Sequence, residues 1–138
     1  MTAPESGDVW SFDYLWRWQH ERGETEGRKP RPTALVACVK GANGRTNLFI
    51  LPITKTRPSD DRLAVEIPQI ERVRAGLAAD LRLWVMIDEY NHDFLETSFY
   101  LDPKGRIGRF SSAFHKAVLA AFVQAGREKR LRKVPRYD

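Results

Sequence analysis

Only one stretch of this chain carries a helical stripe long enough to anchor a helix on a core. Phe114, Val118, Ala121, Phe122 and Ala125 recur at the three- and four-residue spacing of one helix face. Ser111 or Ser112 precedes them as an N-cap, and Gly126 is the expected terminator. Elsewhere the clearest period is two. Leu81, Leu83, Val85 and Ile87 alternate with Arg82, Trp84, Met86 and Asp88, which places the two sets on opposite faces of a strand. Many strands with a single late helix cannot make βαβ units, because each parallel pair needs a crossover between its strands. The expected fold is therefore mainly β (α+β): five or more short antiparallel strands bent into a small barrel or half-barrel, with a C-terminal helix.

Turn residues divide the remainder. Asp8 to Asp13 reads as a first strand, and Tyr14 to Pro32 as a long loop punctuated by Gly23, Gly27, Pro30 and Pro32, with a short helical piece near Trp16. Thr33–Val39 and Thr46–Ile53 form a hairpin across Gly41-Ala42-Asn43-Gly44. Leu63–Ile67 is a short strand and Gln69–Arg74 a turn or two of helix. Residues 88–98 read as a loop, and Asp102-Pro103-Lys104-Gly105 as a turn after a strand at 99–101. Trp84 and Met86 on the outward face of the 81–88 strand suggest a contact surface between subunits.

The 138 residues suit one domain, 1–138, with a lead-in at 1–7 and a basic tail at 127–138. That tail holds six Lys or Arg against Glu128 and Asp138, which accounts for four of the five net positive charges. The rest of the chain is nearly neutral, so a site for an anionic partner has to rest on basic groups in the body of the fold. Cys38 is the single cysteine, which excludes an intrachain disulfide and a multi-thiolate zinc site. No apolar run reaches the ~18 residues of a membrane span, and no signal-peptide pattern opens the sequence, so a cytoplasmic protein without membrane contact is expected.

No phosphate loop, His-Glu-x-x-His helix or nucleophile elbow is present, and His20, His92 and His115 lack metal-ligand spacing. Asp88 and Glu89, with Asp93 and Glu96 nearby, do not suggest a magnesium site, since neighbours in a strand point to opposite faces. Neither metal nor cofactor is expected. The suggestive pattern is Gly27-Arg28-Lys29-Pro30-Arg31-Pro32 followed, after the hairpin, by Pro52-Ile53-Thr54-Lys55-Thr56. Antiparallel pairing brings the start of the first hairpin strand beside the end of the second, and so Arg31 near Thr54. Prolines on both sides restrain Arg31, and a guanidinium can grip a phosphate through two parallel hydrogen bonds. Arg28, Lys29, Lys55 and Thr56 would flank such a site, with Trp16, Trp18 and His20 from the loop. The same basic residues also read as a solubilising loop, and the aromatic ones as filling for the barrel mouth.

These segments resemble the MazF/PemK toxins (plasmid maintenance or cell growth inhibitor proteins). The resemblance is carried by Gly7-Asp8-Val9-Trp10, by Arg31-Pro32 leading into Ala34-Leu35-Val36, and by Leu51-Pro52-Ile53-Thr54. The Leu81–Asp88 strand and Arg106-Ile107-Gly108-Arg109-Phe110 extend it, over about residues 7 to 125. It implies an SH3-like barrel, a homodimer, metal-independent cleavage of single-stranded RNA, and a neutralising antitoxin partner. It also implies catalytic roles for Arg31 and Thr54. The Trp16-to-Glu21 segment, Pro30, the long 88–98 segment and the basic tail depart from the family pattern. A non-catalytic RNA- or protein-binding domain on the same scaffold is the alternative.

Overall fold

The computed structural model describes residues 3–27 and 29–137. In chain order they form β1 (Asp8–Phe12), α1 (Arg17–Glu21), β2 (Arg31–Lys40), β3 (Thr46–Thr54), β4 (Ala64–Glu66) and α2 (Gln69–Arg74). There follow β5 (Trp84–Met86), β6 (Glu89–Phe94), a 3-10 turn at Leu95–Thr97, β7 (Leu101–Arg109), α3 (Ser112–Arg127) and β8 (Arg132–Pro135).

All eight strands belong to one sheet ordered β4-β5-β3-β2-β1-β7, with β6 joining β3 and β8 joining β6. β3 is its axis. It pairs with β2 along one edge, while its other edge serves β6 through Asn47–Ile50 and β5 through Ile53 and Thr54. The sheet therefore forks beyond β3 into a β5-β4 arm and a β6-β8 arm. The expected SH3-like barrel is not formed. Closure would require the end strands to pair with each other, whereas β4 pairs only with β5 and β7 only with β1. The fold is a mixed α/β one with an open sheet.

Packing gives the physical reason. A small barrel buries one face of its strands inside; here both faces carry apolar side chains, and each has its own cluster. Val9, Ala34, Val36, Leu51 and Ile53 pack with Val118, Phe122 and Ala125 of α3. Their neighbours Trp10, Phe12, Leu35, Leu48 and Ile50 pack with Tyr14 and Leu101. Two covered faces are what an open sheet needs.

Several local expectations change as well. The period-two run at 81–88 is broken by a bend at Asp88 into β5 and β6, and of the segment 88–98 read as a loop, 89–94 is a strand and 95–97 a 3-10 turn. Trp84 and Met86, only 8% and 3% exposed, lie inside the molecule and offer no contact surface. Residues 102–105 continue β7 against β1 through register shifts instead of turning. Ser111 caps α3 by accepting from Phe114 N (3.1 Å). Gly126 lies within α3, which stops instead where Lys129 takes a positive φ of 59° and Arg130 N bonds the Ala125 carbonyl at 2.8 Å. Near the N-terminus, Gly7 N donates to the Leu35 carbonyl at 2.9 Å and Ser6 Oγ accepts from Cys38 N at 3.0 Å, so the lead-in is fastened to the sheet. No described helix is long and apolar enough to cross a membrane.

The basic C-terminal segment is not simply a solvated end. β8 runs parallel to β6, Val134 is buried, and Arg136 closes the structure behind them. Its guanidinium donates to the carbonyls of Thr25 (2.7 Å) and Asp13 (3.2 Å), lies 3.7 Å from the Asp13 carboxylate and covers the Tyr100 ring. One buried cation thus joins the chain's end to the long loop. Arg136→Leu should strand buried acceptors and lower stability by about 3 kcal/mol in urea unfolding. An unchanged midpoint would show that β8 is not held this way.

Candidate functional site

Arg31 opens β2 opposite Phe12 of β1, and the β2–β3 register pairs Thr33 with Pro52. Two residues further along the same register, Arg31 comes across from Thr54. The structure brings both into one cleft of about 490 Å³, which Trp16, Trp18, Thr56, Arg57 and Ser59 also line. Met86 and Arg62 complete it.

Arg31 is half-buried, and its Nε is shielded from water without a hydrogen-bond partner. No carboxylate among the described residues forms an ion pair with it. What it has is an aromatic wall: its guanidinium carbon lies 5.2 Å from the centre of the Trp16 ring. Burial lowers its pKa from the ordinary value, an effect opposed by Tyr14. An arginine nonetheless stays charged at neutral pH. The floor of the cleft therefore carries an un-neutralised cation. Thr54 Oγ accepts from Thr56 N at 3.1 Å, which leaves the Thr54 hydroxyl proton to donate elsewhere.

The Trp16 wall is itself held in place. Tyr14 meets Trp16 edge to face, with ring centres 5.3 Å apart, and is buried, which pushes its pKa well up. Its hydroxyl donates to Glu89 at 3.1 Å. The same carboxylate accepts from Arg17 N at 2.9 Å, at the start of α1, and from Arg62 at 3.0 Å. Arg62 forms a two-pronged pair with Asp88, both contacts 2.8 Å, and that pairing pushes its pKa up. Asn91 binds both the N–H (2.9 Å) and the carbonyl (2.8 Å) of Leu15. The bend at Asp88 lets two adjacent carboxylates reach one cation, so the expectation that they diverge fails. That cation is an arginine.

The other residues that the sequence singles out scatter when placed in the fold. Trp16, Trp18 and Thr56 share the cleft with Arg31 and Thr54. Lys29 and Lys55 are exposed and do not line it, and Arg28 lies outside the described residues. His20 lines a different cavity beside Arg136 and Tyr137. Sequence reasoning missed Tyr14, Arg62, Glu89 and Asn91, the residues that position the cleft's walls. Among the described residues no group of three or more His, Cys, Asp or Glu could hold a metal ion. No family model matches this chain, and no curated protein matches it.

His92 is not in the cleft either. It stacks on Phe49 and lies between Asn47 Oδ1 and the Tyr137 hydroxyl, both 2.8 Å away. Asn47 Nδ2 donates to the Val39 carbonyl, so its oxygen faces the ring; His92 Nε2 donates to it and Nδ1 accepts from Tyr137. Burial, with Lys133 and Arg45 nearby, lowers the imidazole pKa from 6.5. The unfolded chain then binds the proton more readily, so this contribution is full above the ordinary value and is lost as pH falls through the folded-state pKa. Urea unfolding between pH 7 and 5 should show a steeper loss for the native protein than for His92→Gln. Parallel curves would contradict the assignment.

Proposed function

We propose that this protein is an endoribonuclease that cuts single-stranded RNA in the Arg31–Thr54 cleft, as the resemblance to the MazF/PemK toxins implies. One observation supports the reading: a guanidinium without an ion-pair partner among the described residues lines the same open cleft as the Thr54 hydroxyl. A phosphodiester supplies what the cleft lacks. Arg31 donates to the phosphoryl oxygens and Thr54 adds a further donor, both aimed at charge that grows as phosphorus becomes five-coordinate.

The reaction in this reading begins with the ribose 2′-oxygen attacking the adjacent phosphorus. The P–O5′ bond breaks, leaving a 2′,3′-cyclic phosphate and a 5′-hydroxyl. The 2′ proton departs to solvent and the 5′-oxygen takes one up. Arg31 acts as a charge stabiliser through its hydrogen bonds and keeps its own proton, so it is not a base, since its pKa is far above neutrality. Trp16 and Trp18 offer faces on which bases can stack, worth about 1–3 kcal/mol for each base.

The reading further includes a cytoplasmic location, a homodimer and a neutralising antitoxin protein. The exposed Ile70 and Val73 of α2, and Phe99 at 85% exposure, are apolar surface that a second chain could cover. A non-catalytic RNA- or protein-binding role is the second reading. It is favoured by the absence of any histidine or carboxylate from the described residues that line the cleft.

Incubating mixed-sequence single-stranded RNA with the purified protein in EDTA separates the two. Cleavage leaving cyclic-phosphate ends is expected, falling about 100-fold in Arg31→Ala and less in Thr54→Val. Binding without cleavage would support the second reading, and equal cleavage by native protein and Arg31→Ala would overturn the role of Arg31.

A further inference from the structure

Trp18 and Arg62 line the Arg31 cleft and also a second cavity, of about 350 Å³, on their other side. The two spaces are therefore neighbours across a shared wall. Trp18 is 44% exposed there. The far side of the second cavity is built by Lys129, Arg130 and Arg132, from the turn after α3 and the start of β8. Folding thus carries part of the C-terminal charge to the side of the cleft.

Its charges are not balanced evenly. The lining sets five cations, Arg17, Arg62, Lys129, Arg130 and Arg132, against four carboxylates: Glu21 pairs with Arg17, Asp88 and Glu89 share Arg62, and Asp61 accepts from the neutral Ser59 hydroxyl. The three C-terminal cations form no ion pair among the described residues, although the Asp61 carboxylate lies within electrostatic reach of Arg130. Arg130 reaches only the Asp61 carbonyl (3.2 Å), and Arg132 only the carbonyls of Lys129 (3.4 Å) and Leu131 (3.2 Å). A backbone carbonyl leaves the net charge of a guanidinium in place.

We infer that Lys129, Arg130 and Arg132 form a second phosphate subsite, which takes the same RNA strand after it passes Trp18 on its way out of the Arg31 cleft. The inference rests on the RNA reading above. It assigns these charges a role in holding the strand, separate from cleavage. Each neutralised phosphate of a single strand contributes about 0.7 to the slope of log affinity against log salt. The cavity therefore has a direct signature.

Removing the whole C-terminal segment would delete β8 and the Arg136 anchor, so the test uses point variants. Lys129→Asn suits the left-handed backbone at that position, and is combined with Arg130→Gln and Arg132→Gln. Fluorescence anisotropy is measured with 2′-O-methyl oligonucleotides, which lack the attacking hydroxyl, across a range of salt. With a ten-nucleotide strand the triple variant should lose about 2 from the slope, and with a dinucleotide its slope should match the native protein. Equal slopes on the long strand would overturn the second subsite and leave the RNA reading intact. If the native protein bound neither strand, the RNA reading itself would fall, and the subsite with it. The native protein alone gives a further check: its slope should step upward as the strand is lengthened from two to ten nucleotides, and a constant slope would overturn the subsite without any variant.

Discussion

A buried carboxylate, Glu89, fastens the loop after β1 to the middle of the sheet. Only 3% exposed, it accepts hydrogen bonds from the Tyr14 hydroxyl, the Arg17 amide and Arg62. A charge taken out of water is costly unless its lone pairs are met, and these three donors meet them. The consequence is positional. Tyr14 is set against Trp16, α1 begins at a fixed point, and Arg62 is drawn into the wall between two cavities. Asn91, two residues along the same strand, holds Leu15 from both sides.

The loop so held gives Arg31 an aromatic neighbour and no anionic one. Contrast Arg62 and Arg136, also drawn inward, each facing at least one carboxylate. A half-buried arginine with no ion-pair partner among the described residues is a surplus of charge at a defined point, and an incoming phosphate would relieve it. The sheet contributes the second half. β2 and β3 are paired so that the start of one adjoins the end of the other, and β5 on the far edge of β3 fixes Thr54 opposite Trp84. The cleft therefore depends on strand pairing for Arg31 and Thr54, and on a polar network for its walls.

The pairing was legible in the sequence and the network was not. Turn residues at 41–44 and the apolar runs around them place Arg31 near Thr54 by antiparallel geometry alone. β6 is different. Its inward residues Glu89, Asn91 and Asp93 are polar, 3%, 0% and 1% exposed, so a search for apolar alternation reads a loop where a central strand lies. That reversal also hides the fork at β3, and with it the reason the sheet stays open. β8 is missed for a related reason: a charged segment reads as a solvated tail, while its backbone pairs with β6 and the buried Val134 and Arg136 anchor it. The alternation expected over 81–88 holds only in part: Leu81 and Arg82 are exposed, and Leu83 to Ile87 are covered on both faces, so no side of that stretch faces water.

The guanidinium of Arg31, without an ion-pair partner among the described residues, is the proposed seat of a phosphodiester. Nitrogen-15 NMR of the arginine Nε–H groups tests it most directly, with the Arg31 signal assigned by its loss in Arg31→Lys and the protein titrated with a 2′-O-methyl dinucleotide. The Arg31 Nε–H signal should shift markedly as the phosphate engages the guanidinium, while that of Arg62, already held by Asp88, moves little. A dinucleotide that binds while the Arg31 signal stays unmoved would contradict the claim.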